Sequence, residues 1–178
     1  KSVRGQMATR DYVFFKICRS TGLRRSEMRA LNIGDVRELT KINVDERIAA
    51  KGGIGEVYLS VEIQDLIRGY IRKKRYWGEG TADEDPLFVS KQGNRIGLRT
   101  INTMMTKWCK EAGLPHYTPH ALRHTKAHRI MDDGRHLGPE GRGQKLLIAG
   151  KQLRHKSLNA TMIYTQPTKE QLEIAANI

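Results

Sequence analysis

The chain has 178 residues, enough for one domain with a substantial core, and carries 32 Lys and Arg against 19 Asp and Glu. The resulting formal charge of +13 attracts polyanions whatever their sequence, so nucleic acid is the expected partner. No apolar run approaches the roughly 18 residues of a membrane span and no signal peptide is visible, so a cytoplasmic location without membrane attachment is expected.

Residues 11–20 set Val13, Phe14, Ile17 and Cys18 on one helical stripe, and Gly22 is placed to end that helix. A shorter helix is predicted through RSEMRAL, with Met28 and Leu31 turned inward. The period then changes. INVDERIAA and GEVYLSV read as two strands joined by a turn at residues 51–54, with VREL at 36–39 as a third strand of a small antiparallel sheet.

Helical spacing returns at 64–75, where Leu66, Ile67, Tyr70 and Ile71 share a face, and residues 72–86 read as a polar connection. The clearest helix is 100–112, with Ile101, Met104, Met105, Trp108 and Cys109 at helical intervals. Both cysteines thus fall on apolar faces and read as reduced core residues, as in a cytosolic compartment. Another helix opens at Thr118 and runs to about Met131. Residues 134–143 (GRHLGPEGRG) read as a mobile loop, QKLLIAGKQL and NATMIYT as short helices, and 165–178 as a tail ending in a helix.

The segment TPHALRH, residues 118–124, raises the chemical question. Thr118 suits a helix cap and Pro119 its first turn, where no amide hydrogen is needed. His120 and Arg123, three apart, then share a face near the positive end of the helix, a place for an anion. In a chain this basic, that anion is expected to be a phosphate. His120, His124 and His128 also recur every four residues, as metal ligands sometimes do. No acidic residue of the HExxH kind lies between them and no cysteine completes a set, so no metal is predicted. His124 is expected to pack inward and His128 to face solvent.

Three further segments join this one. Thr21-Gly22-Leu23-Arg24-Arg25-Ser26-Glu27 lies near the start, AAKGG carries Lys51 on the proposed hairpin, and RHKSLNATMIY sets His155 nine residues before Tyr164. In this order, and on elements of these types, the segments resemble the catalytic domain of the tyrosine recombinases, the phage-integrase family. The resemblance spans nearly the whole chain. It implies a mainly α fold with a small antiparallel sheet (α+β), the tyrosine recombinase catalytic-domain fold. It further implies residues 1–178 as a single catalytic domain, a fragment without the core-binding and arm-binding domains that usually precede it.

The implied activity is site-specific DNA strand exchange, in which a tyrosine hydroxyl attacks a phosphodiester, leaving a 3′-phosphotyrosyl link and a free 5′-hydroxyl. Catalytic roles fall on Arg24, Lys51, His120, Arg123, His155 and Tyr164. Fork-shaped guanidiniums at Arg24 and Arg123 suit the non-bridging oxygens, where lysine would act only as a point charge. The phenol of Tyr164, ordinarily titrating near 10, loses its proton to a neighbouring imidazole, His120 being the candidate, or through the arginine field. Lys51 would protonate the departing 5′-oxygen and His155 would donate to a phosphate oxygen. Glu27, one turn after Arg24, would steady the local basic groups. Arg25, Arg154 and Lys156 are expected to contact DNA. No metal or other cofactor is implied. The expected partners are double-stranded DNA, further copies of the chain in a tetrameric synapse and accessory DNA-bending proteins.

Each residue alone has an ordinary reading. Arg24 could be a surface arginine, Lys51 a solvated turn residue and Tyr164, one of six tyrosines, a core aromatic. Their joint occurrence carries the reading. The sequence also departs from the family pattern: Ala50 and Arg154 stand where glycine is usual, and GRHLGPEGRG resembles an insertion, read equally as a DNA or partner contact or as a harmless surface loop. Two alternatives stand beside a recombinase, a type IB topoisomerase and a DNA-binding module that no longer cuts. The HKSLNATMIY spacing favours a recombinase. Leu172, Ile174 and Ala175 lack an obvious local partner, so the tail is expected to dock on a neighbouring protomer.

Overall fold

The computed structural model describes residues 2–49, 53–133, 139–154 and 159–162. Helix α1 (Val3–Thr21) starts well before the predicted stripe. Where the stripe begins, α1 is held by polar groups that an apolar period does not register. Arg10 donates to the carbonyl of Val89 across 2.8 Å and pairs with Asp11, which accepts the indole N–H of Trp108 at 2.9 Å. The predicted stripe is buried. Phe14 meets Phe88 edge-on at 5.1 Å and Tyr70 stacks on Phe88 at 5.8 Å, making an aromatic centre for the core. Burying each such ring stabilises the fold by roughly 1.5–3 kcal/mol. Gly22 closes α1 in the left-handed conformation, φ 71°, as expected from the sequence. Helix α2 (Arg25–Ala30) follows directly and buries Met28.

The sheet is smaller than predicted. Strands β1 (Lys41–Val44) and β2 (Gly55–Tyr58) pair antiparallel, Lys41 opposite Tyr58 and Val44 opposite Gly55. The stretch read as the rest of the first strand is a helical turn, α3 (Glu46–Ala49), because Asp45 caps it: its carboxylate accepts the amide of Ile48 at 3.0 Å. Residues 36–39 form no strand. A 3₁₀ turn (Gly34–Val36) occupies their start, and Leu39 has a φ of 60°, which breaks extended backbone.

Helix α4 (Val61–Trp77) outruns the prediction at both ends and takes over the first part of the expected connection. Gly78 ends it at φ 79°, and the buried ammonium of Lys74 is satisfied by Glu79 at 2.8 Å. Helix α5 (Leu98–Glu111) buries Ile101, Met104, Met105 and Cys109 as its period requires. Both cysteines are buried and free, and burial pushes the Cys18 thiol up to about 12. Helix α6 (Pro119–Asp132) begins where Thr118 and Pro119 direct it, although Thr118 supplies no side-chain capping bond.

Helix α7 (Pro139–Gln152) corrects the loop expected over 134–143. Pro139 begins a helix, and Gly141 and Gly143 lie within it. Residues 134–138 lie outside the described residues, as does the predicted tail. Helix α8 (Asn159–Met162) covers the start of NATMIYT. Helix α1 packs against α4 and α6, and α6 against α7. These packings bring the end of α1, the start of α6 and the end of α7 to one place.

Candidate active site

Three helix ends meet around one guanidinium. Arg123, in the first turn and a half of α6, is buried to 2 % exposure. Its Nη1 donates to the carbonyl of Gly22 at 2.6 Å, and its Nη2 donates to the carbonyl of Leu153. One carbonyl ends α1 and the other follows α7, so the fork is oriented by main chain from both. The junction is tight: a Cβ on Gly22 would lie 2.5 Å from Cδ2 of Leu153 and 3.4 Å from Cγ of Lys126. Glycine is required at this position by its positive φ and by this approach.

Glu27 organises a second group. It is fully buried, and its carboxylate accepts the Arg24 amide at 2.7 Å, the Arg24 Nη1 at 2.9 Å and the Arg154 Nη2 at 2.6 Å. A buried carboxylate demands such pairing. Arg154 also donates from Nε to the carbonyl of Gly53 at 3.2 Å, joining α2 to the loop between the strands.

Leu23, Arg24, Arg25, Ser26, Thr118, Pro119, His120 and Arg123 line a cavity of about 390 Å³. Three arginines, a histidine and the N-terminal end of a fourteen-residue helix make it electropositive. Burial lowers the His120 pKa below 6.5, helped by His124, Arg123 and Arg24. The imidazole is therefore neutral at pH 7, able to accept a proton or to donate a single hydrogen bond. Its ring meets His124 edge-on at 4.5 Å. Such a cavity can hold an anionic group against fork-shaped donors with an imidazole at its side.

Of the residues singled out in the sequence, Arg24, His120 and Arg123 line this cavity, and Glu27 braces it from behind. Arg25 lines the same cavity, exposed, with its guanidinium on Oδ1 of Asn102 at 2.6 Å. Arg154 corrects the expectation of a DNA-facing cation: its side chain is 2 % exposed and points inward to Glu27. Lys51, His155, Lys156 and Tyr164 lie outside the described residues. Gly53 and Arg154, the described residues that follow Lys51 by two and precede His155 by one, are in contact. His128 is exposed, as expected, whereas His124, expected inside, is half-buried. Among the described residues, no three His, Cys, Asp or Glu side chains are grouped to hold a metal ion. The hydroxyl-bearing residues Ser26 and Thr118 were not singled out as site residues, although both stand within the motifs that define the site.

The family profile described as "Phage integrase family" matches residues 2–171. The tyrosine recombinase XerC of Caldanaerobacter subterraneus subsp. tengcongensis is 30% identical over 178 residues, covering 99% of this chain and 46% of that protein. The tyrosine recombinase XerC of Chromobacterium violaceum is 32% identical over 165 residues, 90% of this chain and 49% of that protein. Among solved structures, XerA recombinase superposes with a TM-score of 0.72 at 26% identity, over 98% of this chain and 58% of that one. XerH site-specific recombinase, bound to palindromic difH substrate in a post-cleavage complex, also gives 0.72, at 27% identity over 97% of this chain and 46% of that one. The chain spans about half the length of the curated relatives it matches. No helix among the described residues is long and apolar enough to cross a membrane. With its mainly helical architecture, its small antiparallel sheet and a profile match across nearly all its length, the chain belongs to the phage integrase family.

Proposed function

We propose that this chain is the catalytic domain of a site-specific DNA recombinase that cuts and rejoins DNA through a covalent tyrosyl intermediate. The observation that carries the reading is that Arg24, His120 and Arg123, remote in sequence, line one electropositive cavity. In that cavity the scissile phosphate would sit between two guanidiniums whose forks match its non-bridging oxygens. Both are oriented before substrate arrives, Arg24 by Glu27 and Arg123 by two carbonyls, so little reorganisation accompanies the attack.

Tyr164 attacks phosphorus, the bond to the 5′-oxygen breaks, and the phosphate passes to the tyrosine as a 3′-phosphotyrosyl ester. The phenolic proton goes to the neutral imidazole of His120 or is lost in the arginine field; Lys51 returns a proton to the leaving 5′-oxygen. His155 donates to a phosphate oxygen. The reverse attack by a 5′-hydroxyl of another strand completes exchange without an external energy source. Double-stranded DNA is the substrate, and four copies assembled on DNA perform the exchange, with the 165–178 tail of each docked on a neighbour.

A DNA substrate nicked near the cleavage position traps the intermediate, because the short released strand diffuses away. The parent protein is expected to form a covalent adduct, and Tyr164→Phe to lose it while keeping DNA affinity. Binding without any adduct from the parent would instead favour a non-cutting DNA-binding module.

A further inference from the structure

Arg154 stands at a position that favours glycine: its φ is 51°, in the left-handed region. Its side chain is nevertheless enclosed, and Nη1 is buried with no hydrogen-bond partner among the described residues. A strained backbone and an enclosed cation each disfavour this arrangement. It persists because the rest of the guanidinium is fixed on both sides. Nη2 holds Glu27 at 2.6 Å, and Nε holds the Gly53 carbonyl at 3.2 Å. The packing is equally close, a Cβ on Gly53 falling 3.1 Å from the Arg154 carbonyl and one on Gly55 falling 3.4 Å from its Cδ.

We infer that Arg154 is a positioning residue, a buried strut that ties the loop between the strands, at Gly53, to the Glu27–Arg24 pair and so holds that loop in register with the phosphate-binding arginine. Its action runs through Glu27 to Arg24 and through Gly53 to the loop two residues after Lys51. It also fixes the backbone immediately before His155. A glycine at 154 would suit the local φ and leave these three parts unconnected. This role rests on the recombinase reading for its consequence in catalysis, though not for its consequence in the fold.

The test uses the intact protein and four variants: Arg154→Gly, Arg154→Lys, Glu27→Gln and the Glu27→Gln/Arg154→Gly double. Amide hydrogen exchange over residues 53–55, without DNA, is expected to quicken at least about tenfold in Arg154→Gly. DNA affinity should stay within about twofold, because the residue faces inward. Single-turnover cleavage at saturating DNA should fall at least about tenfold, as a displaced loop and a loosened Arg24 would require. Arg154→Lys should recover part of the rate by restoring a cation to Glu27. The double variant should cleave no more slowly than Glu27→Gln alone, since both changes break one linkage. Parental exchange over 53–55 in Arg154→Gly, or its parental cleavage rate at saturating DNA, would overturn the strut. A parent protein that forms no adduct on any DNA refutes the recombinase reading instead, and the exchange arm then decides whether Arg154 holds the loop.

Discussion

Arg123 and Gly22 are joined by a 2.6 Å hydrogen bond across 101 residues of sequence, from the start of α6 to the last carbonyl of α1. The same guanidinium reaches Leu153, so one side chain ties three helices beside the electropositive cavity. Arg123→Ala leaves two carbonyls without this donor and is expected to destabilise the fold by about 2–3 kcal/mol in urea denaturation. Arg123→Lys keeps the charge and loses the fork. It should retain more stability than the alanine variant yet cut DNA at least about a hundredfold more slowly in single-turnover assays.

Gly22→Ala tests the junction from the other side. The new methyl meets Cδ2 of Leu153 at 2.5 Å, and φ 71° disfavours any side chain. A loss of about 1–3 kcal/mol is expected. Thermal unfolding should move down by about 2–4 °C per kcal/mol in a chain of this size. Combining it with Leu153→Ala should relieve the contact and leave the backbone cost, so the double variant should fall short of the sum of the two singles.

His120 and His124 are both held below the ordinary histidine value of 6.5, burial being the first cause in each. Above that value both are neutral, folded or unfolded, and they make stability independent of pH. Below it the unfolded chain takes up protons before the folded one does, so their contribution is lost as pH falls. Urea midpoints measured between pH 8 and pH 5 should be flat at the upper end and decline below about 6.5. The decline should lessen in His120→Gln/His124→Gln. A phosphate in the cavity favours the charged imidazole, so DNA should raise the His120 pKa in an NMR titration.

Punctuation and period made much of this fold legible. Gly22 ends α1, Pro119 starts α6, and the α5 stripe buries the residues its spacing names. Features decided by tertiary contacts escaped. ERIA contains β-branched Ile48 inside an apparent strand, yet the Asp45 carboxylate caps it into a helical turn. The glycines of PEGRG suggested a loop, yet they lie in a helix that packs against α6. At the site, helical spacing placed His120 and Arg123 on one face, and the family resemblance added Arg24; all three line one cavity. Neither could show Arg154 turned inward, because the reason is Glu27, a carboxylate 127 residues away that folding buries.

Deletion of residues 169–178 addresses the proposed assembly. The shortened protein should unfold at the parental temperature and bind a single half-site normally. On a full recombination site it should lose cooperativity, read as a fall in the Hill coefficient in gel-shift titration. Unchanged cooperativity would place the contacts between copies elsewhere.

The central claim is a covalent ester between DNA and residue 164, formed beside the Arg24–Arg123 cavity. Trapping the parent protein on nicked DNA, digesting the adduct with protease and nuclease and sequencing the peptides by mass spectrometry tests it directly. The account requires a 3′-nucleotide phosphate on the peptide carrying Tyr164, absent from Tyr164→Phe and sharply reduced in Arg123→Lys. A nucleotide on any other tyrosine, or an undiminished adduct from Tyr164→Phe, would contradict it.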